Sequence, residues 1–239
     1  MDDWQYKPAG DLGLKPEESW RSLRREAGLT AMLTQSIWRV TVRMYLRGYH
    51  RLQVEGAEHL PRQAPFVMVA NHTSHLDALT LAAALPWRLR RSAFPIAAGD
   101  VFFETPTLSL FSAMMLNALP MWRQRCGSHA MEDLRGRLIG EPATYILFPE
   151  GTRSRDGRMG AFKPGLGMLI AGADVPVVPC YLDGAFAACP PAKKVPRPLP
   201  LKLRIGQPHN FSGVKNARAG WQEIAAEMEA AVAALRPPA

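Results

Sequence analysis

The amino-acid sequence predicts an α/β fold: a single domain with a mostly parallel sheet flanked by helices, preceded by a basic amphipathic N-terminal helix. The length of 239 residues suits one domain of medium size. Hydrophobic residues make up 47% of the chain and charged residues 21%, a balance typical of a folded globular protein. After residue 64, short apolar runs alternate with helical segments, and this alternation indicates parallel strands joined by helical crossovers.

The first segment, residues 1–19, is predicted to be a loose tail. It contains proline, glycine and acidic residues without periodicity, and its polar character argues against an ordinary signal peptide. A helix is predicted next, over residues 28–47, GLTAMLTQSIWRVTVRMYLR. Its apolar positions recur at helical spacing: Leu33, Ile37, Val40 and Met44.

Beside its apolar stripe the helix carries a second, basic ridge: Arg39, Arg43 and Arg47. Between residues 21 and 51 there are seven arginines and one acidic residue. With Trp38 and Tyr45 at the interface, such a helix suits the headgroup layer of an anionic membrane. The alternative is a surface helix that packs on the domain with a solvated arginine face. We assign residues 20–63 to an N-terminal amphipathic, membrane-surface segment.

Residues 64–185 form the predicted core of the domain. Five short apolar runs are predicted as strands: residues 65–70, 94–99, 117–122, 143–148 and 175–182. The segments between them are predicted as helices: residues 75–85, 106–117, 128–139 and 165–173. Residues 186–239 complete the same domain, with an edge-like alternating strand over residues 199–205 and a closing helix over residues 220–235.

The net charge of +8 points to an anionic partner, which could be nucleic acid, a membrane surface or a phosphorylated small molecule. The three cysteines, Cys126, Cys180 and Cys189, form no CxxC pair, and this favours a reducing, cytosolic setting. No uninterrupted apolar run reaches the ~18 residues that a membrane span needs. Any membrane contact is therefore expected to be peripheral.

The stretch VMVANHTSHLDALTLAAAL, residues 67–85, places polar residues between a buried strand and a helix. His72 and Asp77 are five positions apart, which is too far around a straight helix for a hydrogen bond. Ser74 and Asp77 match a helix start signal, with Ser74 as the N-cap and Asp77 in the first turn. His72 would then lie in the preceding loop and fold back onto Asp77, whereas His75 would be an exposed first-turn residue.

Such a pair has chemical consequences. A carboxylate that accepts a hydrogen bond from one imidazole nitrogen fixes the tautomer and leaves the other nitrogen as a base. The positive end of the helix also disfavours an imidazolium. Because no G-x-S-x-G elbow supplies a serine, the attacking hydroxyl is expected to belong to the substrate. The structural alternative is that Asp77 only caps the helix and His72 is a satisfied loop residue.

A second polar motif follows the strand predicted over residues 143–148, in YILFPEGTRSRDGRMGAFKPG. Ligands bind at the carboxyl ends of strands in open α/β sheets, and arginine suits bidentate recognition of phosphate. Gly151 would let backbone N–H groups approach an anion, and Pro164 at position N1 would start the next helix. Arg155 and Arg158 are expected to be solvated, unlike Glu150 and Arg153 beside the strand end.

These motifs resemble those of the phospholipid/glycerol acyltransferase family, which contains the 1-acylglycerol-3-phosphate acyltransferases. NHTSHLD is similar to the first motif of that family, N-H-x-S-x-x-D, and FPEGTRS matches the third. VPVVPC is similar to the fourth, a strand rich in valine and proline. The order and spacing agree, and the resemblance covers roughly residues 64–185.

The resemblance implies His72 as the general base and Asp77 as its orienting partner. It implies an acceptor-binding loop, with Arg153 on the phosphate, formed by Glu150, Gly151, Thr152 and Arg153. Lys163 corresponds to a lysine common after the third motif.

The second motif of the family usually ends in an acidic residue followed by arginine. The matching stretch here is NALPMWRQR, in which Trp122 replaces the acid and Arg123 is the implied phosphate contact, with Arg125 as a possible substitute. This departure bears on the identity of the acceptor more than on the reaction.

The implied activity is transfer of a fatty acyl group from acyl-CoA or an acyl carrier protein to a lysophospholipid hydroxyl, with 1-acylglycerol-3-phosphate as the default acceptor. Another lysolipid, such as lyso-ornithine lipid, is the alternative. No metal and no cofactor are expected, and the protein would lie on the cytoplasmic face of an anionic membrane. Two other classes remain to be compared: a non-catalytic binder of anionic membranes, and a nucleic-acid binder suggested by AKKVPRPLPLKLR but unsupported by any recognition motif.

Overall fold

The computed structural model describes residues 29–98, 119–121, 128–193 and 195–237, together with Gly13. These residues form a seven-stranded sheet in the order β1-β7-β6-β2-β5-β3-β4. The strands are β1 (Gln53–Glu55), β2 (Phe66–Ala70), β3 (Ala93–Ala98), β4 (Leu119–Met121), β5 (Thr144–Leu147), β6 (Val177–Asp183) and β7 (Lys202–Ile205). Every neighbouring pair is parallel except β6 and β7, which confirms the predicted mostly parallel sheet.

Six α-helices accompany the sheet within the described ranges: α1 (Leu29–Gly48), α2 (Asp77–Ala84), α3 (Ser128–Gly140), α4 (Gly165–Ile170), α5 (Ala185–Ala188) and α6 (Arg218–Ala234). The observed α1, α2, α3 and α6 differ from the predicted helices by at most two residues at each end. The fourth helix is shorter than predicted, and α5 was not predicted. The tail apart from Gly13, and the predicted helix over residues 106–117, lie outside the described residues.

The core lies on both faces of the sheet, and β2 at its centre is buried at all five positions. Alternate β2 side chains belong to two separate apolar clusters, because successive side chains of a strand point to opposite faces. Phe66 and Met68 pack with residues of α1, α2 and α5. Val67 and Val69 pack with residues of α3, α4 and α6 on the other face. The continuous apolar run of this strand follows from burial on both sides.

The strand predicted over residues 199–205 is not an edge strand. β1 pairs with β7 in parallel, from Gln53 opposite Lys202 to Glu55 opposite Arg204, and so covers its outer side. The carboxylate of Glu55 accepts from Lys202 Nζ at 2.7 Å and from Arg204 Nε at 3.2 Å. The sequence did not predict β1, because a strand of three residues with one apolar side chain is too short to show the alternation of apolar and polar residues.

Helix α1 packs its inner side against the domain. Gln35, Val42 and Leu46 are buried there, and Trp38 and Tyr45 pack against the same core cluster. The prediction that Trp38 and Tyr45 lie at a membrane interface is therefore wrong in this structure, because these aromatic side chains cover the domain instead.

The opposite side of α1 carries a second apolar stripe that faces solvent. Ile37 is 62% exposed, Val40 44% and Met44 69%. The sequence predicted this stripe but not its direction, since either apolar side of the helix could have covered the core. None of the helices in the described ranges combines the length and the hydropathy that a bilayer-crossing segment needs.

Candidate active site

The candidate site lies at the edge of the sheet where β2, β5 and β6 end. Val69 of β2 is opposite Leu147 of β5, so the loops that follow these two strands start side by side. Ala70 is opposite Cys180 of β6, which continues past them to Asp183. Asn71 fastens the first of these loops to β6. Its side-chain amide donates to the Leu182 carbonyl at 3.0 Å, and its Oδ1 accepts from the Leu182 N–H at 2.8 Å.

His72 and Asp77 are in contact, as the sequence predicts. Nδ1 of His72 lies 2.9 Å from Oδ2 of Asp77. The same oxygen accepts from the backbone N–H of Thr73 at 2.6 Å and of Ser74 at 2.8 Å. The Asp77 carboxylate is fully buried, and its three donors hold it against the loop that carries His72.

The helix begins two positions later than a Ser74 cap would require, because its N-cap is Leu76. The Ser74 hydroxyl accepts from the Leu76 N–H at 3.1 Å and donates to the Cys189 carbonyl at 2.7 Å. Ser74 therefore forms a turn before the helix and ties the His72 loop to the segment after α5. The reach of Asp77 back to the Ser74 N–H is the part of the predicted capping pattern that is present.

The imidazole of His72 stacks on Phe148, the residue after β5. The ring centroids are 4.1 Å apart and the ring planes differ by 17°. Since the acceptor at Nδ1 is a carboxylate, Nδ1 carries the proton and Nε2 presents its lone pair. Nε2 has no hydrogen-bond partner in the described part of the chain, and 21% of the side chain is exposed. The ring can therefore accept a proton from a bound molecule.

Glu150 holds the main chain of His72. Its Oε1 accepts from the His72 N–H at 2.7 Å, and its Oε2 accepts from the Gly160 N–H at 2.9 Å. The Ser154 N–H donates to the His72 carbonyl at 2.8 Å from the same loop. Burial raises the pKa of Glu150, while the two backbone N–H donors act in the opposite direction. Both carboxylate oxygens are thus engaged within the protein.

Gly151 turns the chain after the strand with a φ of +72°, a left-handed conformation that favours glycine. The side chain of Lys163 crosses this turn, and a Cβ at Gly151 would lie only 2.8 Å from its Nζ. Thr152 is exposed beside them. Pro164 is the N-cap of α4 and not, as predicted, its first helical residue, so the helix starts at Gly165. The glycine therefore allows the ammonium group to lie against the turn.

Arg153 reaches the loop of the first motif and contacts His75. Its Nη1 lies 2.6 Å from Nδ1 of His75 and also contacts Nε2 of that ring. Partial burial and the adjacent Arg153 guanidinium lower the pKa of His75, although the imidazole remains accessible to solvent. A lowered pKa favours the uncharged imidazole, which does not repel the guanidinium.

Two further arginines of the loop, Arg155 and Arg158, do not join this cluster. Arg155 and Arg158 are exposed, as expected for solvated side chains. Arg123, the implied phosphate contact of the second motif, lies outside the described residues, as does Arg125.

A largely apolar cavity of about 390 Å³ opens next to the pair. Phe148, Gly151 and Lys163 form its wall on the side of His72. Its deeper walls lie between β5, α3 and α4 and include Ile96, Met131, Leu134, Leu147, Leu166 and Leu169. Phe148 thus contacts the imidazole and also lines a space suited to an apolar ligand.

Sequence reasoning missed the parts that Phe148, His75 and Ser154 play in the site. Phe148 could have been found, because β5 and β2 are neighbouring parallel strands and the residues after their ends must meet. The contact of His75 with Arg153 and the hydrogen bond from Ser154 to His72 join residues about 80 positions apart. Only the tertiary structure brings these residues together.

Comparison with known proteins agrees with this arrangement. The model of the family described as Acyltransferase matches residues 51–183, more than half of the chain. This chain belongs to the acyltransferase family. The matched region contains the His72–Asp77 pair and the whole Glu150–Arg153 loop.

Individual relatives carry more specific names. The acyltransferase chain is 34% identical over 141 residues to 1-acyl-sn-glycerol-3-phosphate acyltransferase alpha of Homo sapiens, covering 58% of this chain and 47% of that protein. It is 34% identical over 149 residues to the chloroplastic 1-acyl-sn-glycerol-3-phosphate acyltransferase LPAT1 of Arabidopsis thaliana, covering 59% and 38% of the two chains. The match thus spans less than half the length of these relatives.

The fold also matches a solved structure, that of the 1-acyl-sn-glycerophosphate acyltransferase PlsC from Thermotoga maritima. The TM-score is 0.63 at 21% identity, covering 87% of this chain and 84% of that chain. At this identity the likeness concerns the fold, and it extends the agreement beyond the region that the family model matches.

Proposed function

We propose that this acyltransferase-family chain transfers a fatty acyl group from an acyl-CoA or acyl carrier protein thioester to the hydroxyl of a lysophospholipid, with 1-acylglycerol-3-phosphate as the acceptor. The observation that carries the proposal is the 2.9 Å contact between His72 Nδ1 and a buried Asp77, which leaves the second imidazole nitrogen without a partner among the described residues. A membrane-binding protein without catalysis would have no need of this arrangement.

In the proposed reaction, Nε2 of His72 takes the proton of the acceptor hydroxyl while its oxygen attacks the thioester carbonyl carbon. Asp77 holds the tautomer and stabilises the imidazolium that forms. The tetrahedral intermediate then collapses to the ester, the carbon–sulfur bond breaks, and the imidazolium returns its proton to the departing thiolate. General-base assistance of this kind contributes ~10²–10⁴-fold, so positioning of both substrates must supply much of the remaining acceleration.

The apolar cavity beside Phe148 is the proposed place of an acyl chain. Its aliphatic lining favours a hydrocarbon, and one of its lining residues, Phe148, stacks on the His72 ring. A chain in this cavity would leave its carbonyl carbon near Nε2.

The acceptor phosphate is proposed to bind Arg153 and Lys163. Both cations lie on the loop after β5, one beside His75 and one across the Gly151 turn. Guanidinium groups bind phosphate through charge-assisted, often bidentate hydrogen bonds. The names of the human and Arabidopsis relatives favour a phosphate-bearing glycerol acceptor over lyso-ornithine lipid.

We propose that the chain lies peripherally on the cytoplasmic face of an anionic membrane. The solvent-facing stripe of Ile37, Val40 and Met44 supports this placement, since it is an apolar surface on an element that already covers the core with its other side. Arg43 and Arg47 follow one edge of the stripe, where they would meet anionic headgroups.

The function is tested by supplying purified protein with one acyl-CoA and one acyl carrier protein thioester against a panel of acceptors. The panel contains lysophosphatidic acid, lysophosphatidylcholine and lyso-ornithine lipid. We expect thioester consumption to be fastest with lysophosphatidic acid. Absence of turnover with every combination would reject the catalytic proposal.

Arg153→Ala is expected to raise the KM for lysophosphatidic acid by about 10- to 100-fold, because a hydrogen bond to a charged group contributes ~1.5–3 kcal/mol. Arg155→Ala is the matched control, since it removes the same charge from an exposed position two residues away. Steady-state kinetics measure both variants. An equal rise in KM for an acceptor without phosphate would show that Arg153 does not contact the phosphate.

Glu150→Gln is expected to lower kcat by about 10- to 100-fold while the acceptor KM stays unchanged. The side-chain amide keeps the volume but turns an NH2 group toward one of the two N–H donors, so one of the two hydrogen bonds through which Glu150 joins the His72 loop to Gly160 is lost. Steady-state kinetics with varied acceptor concentration show whether the substitution changes kcat or the acceptor KM. A higher acceptor KM with unchanged kcat would instead place Glu150 in acceptor binding, as the family resemblance implies.

A further inference from the structure

The loop between α5 and β7, residues 190–200, is rich in proline and is fastened at both ends. We call it the proline-rich loop. At its start, the Cys189 carbonyl accepts from Ser74 at 2.7 Å, and the Arg197 N–H donates to the Ala188 carbonyl at 2.8 Å. The loop is therefore tied to the turn that follows His72.

The other end of the loop is fastened to the residues after α1. The Tyr49 hydroxyl donates to the Pro196 carbonyl at 3.1 Å, and Arg51 Nη2 donates to the Pro198 carbonyl at 2.8 Å. These bonds connect the end of α1 to the loop directly, so the loop spans from the catalytic turn to the proposed membrane helix.

Strand directions place the loop at the same edge of the sheet as His72. β6 runs toward that edge alongside β2. β7 is antiparallel to β6, with Asp183 opposite Lys202, so β7 starts where β6 ends. The chain between them must therefore lie on the rim of the candidate active site.

The described part of this loop exposes apolar and cationic side chains together. Val195 is 78% exposed and Leu199 36%. Lys193 and Arg197, on either side of Val195, are also exposed. A projecting apolar group between two cations matches the interface of an anionic bilayer, where hydrocarbon lies beneath phosphate groups.

The prolines favour the same environment. Five of the eleven loop residues are proline, and each lacks the backbone N–H that would need a partner on leaving water. Unsatisfied backbone donors are a main cost of placing a loop against lipid. A loop that read nucleic acid would instead present groups for stacking on bases.

From these observations we propose that the proline-rich loop is a second membrane contact, which inserts Val195 into the interface and holds headgroups with Lys193 and Arg197. It deepens the proposed function, on which it rests, because a lysolipid acceptor would then enter between this loop and α1 at the edge where His72 lies.

The test is binding to sedimented vesicles of phosphatidylglycerol and phosphatidylcholine in equal parts. Neutralising one cation near an anionic surface costs about fivefold in affinity, so Lys193→Gln/Arg197→Gln is expected to bind about 25-fold more weakly. Val195→Asp is expected to lose about tenfold or more. The matched control is Lys215→Gln/Arg218→Gln. It makes the same charge change at exposed positions where α6 begins, and α6 packs on the face of the sheet opposite to α1.

Turnover of a monomeric short-chain acceptor with acyl-CoA is measured in parallel, and unchanged rates in the loop variants show that the catalytic site is intact. Vesicle affinity equal to that of the wild type would overturn the proposal, whatever the turnover. So would a loss confined to the acyl carrier protein donor, since the loop would then dock an acidic protein. If the wild type shows no turnover, the acyl-transfer proposal fails while vesicle binding still decides the role of the loop.

Discussion

His72→Ala is expected to lose acyl transfer by about 10³-fold or more while the fold is retained. The substitution removes an imidazole that is held by Asp77 at Nδ1 and has no partner at Nε2 among the described residues. The side chain is partly exposed and contacts mainly Phe148 and Asp77. Asp77 keeps two backbone N–H donors in the variant, so the local fold has support of its own.

The measurement for His72→Ala is thioester consumption at saturating lysophosphatidic acid, with circular dichroism to verify the fold. His209→Ala provides a matched control, because His209 also pairs with a carboxylate, Glu227, at 2.6 Å. That second pair involves α6, which packs on the face of the sheet opposite to α2, and its loss is expected to leave turnover unchanged. Turnover within tenfold of the wild type in His72→Ala would remove His72 as the base.

Asp77→Asn is expected to lower kcat by about 10²- to 10³-fold with little change in either KM. All three donors converge on Oδ2 of Asp77. The Thr73 and Ser74 N–H groups therefore select the amide orientation that keeps an oxygen at this position. His72 retains its tautomer in the variant, and what is lost is the negative charge that stabilises the imidazolium.

Asp77→Ala separates this electrostatic effect from the structural one. It leaves two buried backbone N–H groups without an acceptor, and each costs ~1–3 kcal/mol. We expect a lower free energy of unfolding in both variants, measured by denaturant titration, with the larger loss in Asp77→Ala, because in Asp77→Asn only the NH2 group at the partnerless Oδ1 position is left unsatisfied. Full activity in a stably folded Asp77→Asn would mean that the carboxylate serves only as a helix cap.

Much of the fold is readable from the sequence because its strands are short apolar runs. The run from Phe66 to Ala70 is apolar throughout because helices cover both faces of the sheet. The contact between His72 and Asp77 could also be predicted, since it joins residues only five positions apart. β1 and the covered position of β7 could not, because pairing between Gln53 and Lys202 joins residues 149 positions apart.

By itself, the sequence determined the α/β class, the order of the main elements, the His72–Asp77 pair and the loop that begins at Glu150. These features depend on local periodicity and on short-range hydrogen bonds, which a run of adjacent residues encodes directly. Only the tertiary structure decided that Glu150 anchors the His72 backbone, that Arg153 lies against His75, and which apolar side of α1 faces solvent. Such contacts depend on which surfaces meet when the two layers of helices close on the sheet, and that choice is made by packing across the whole domain.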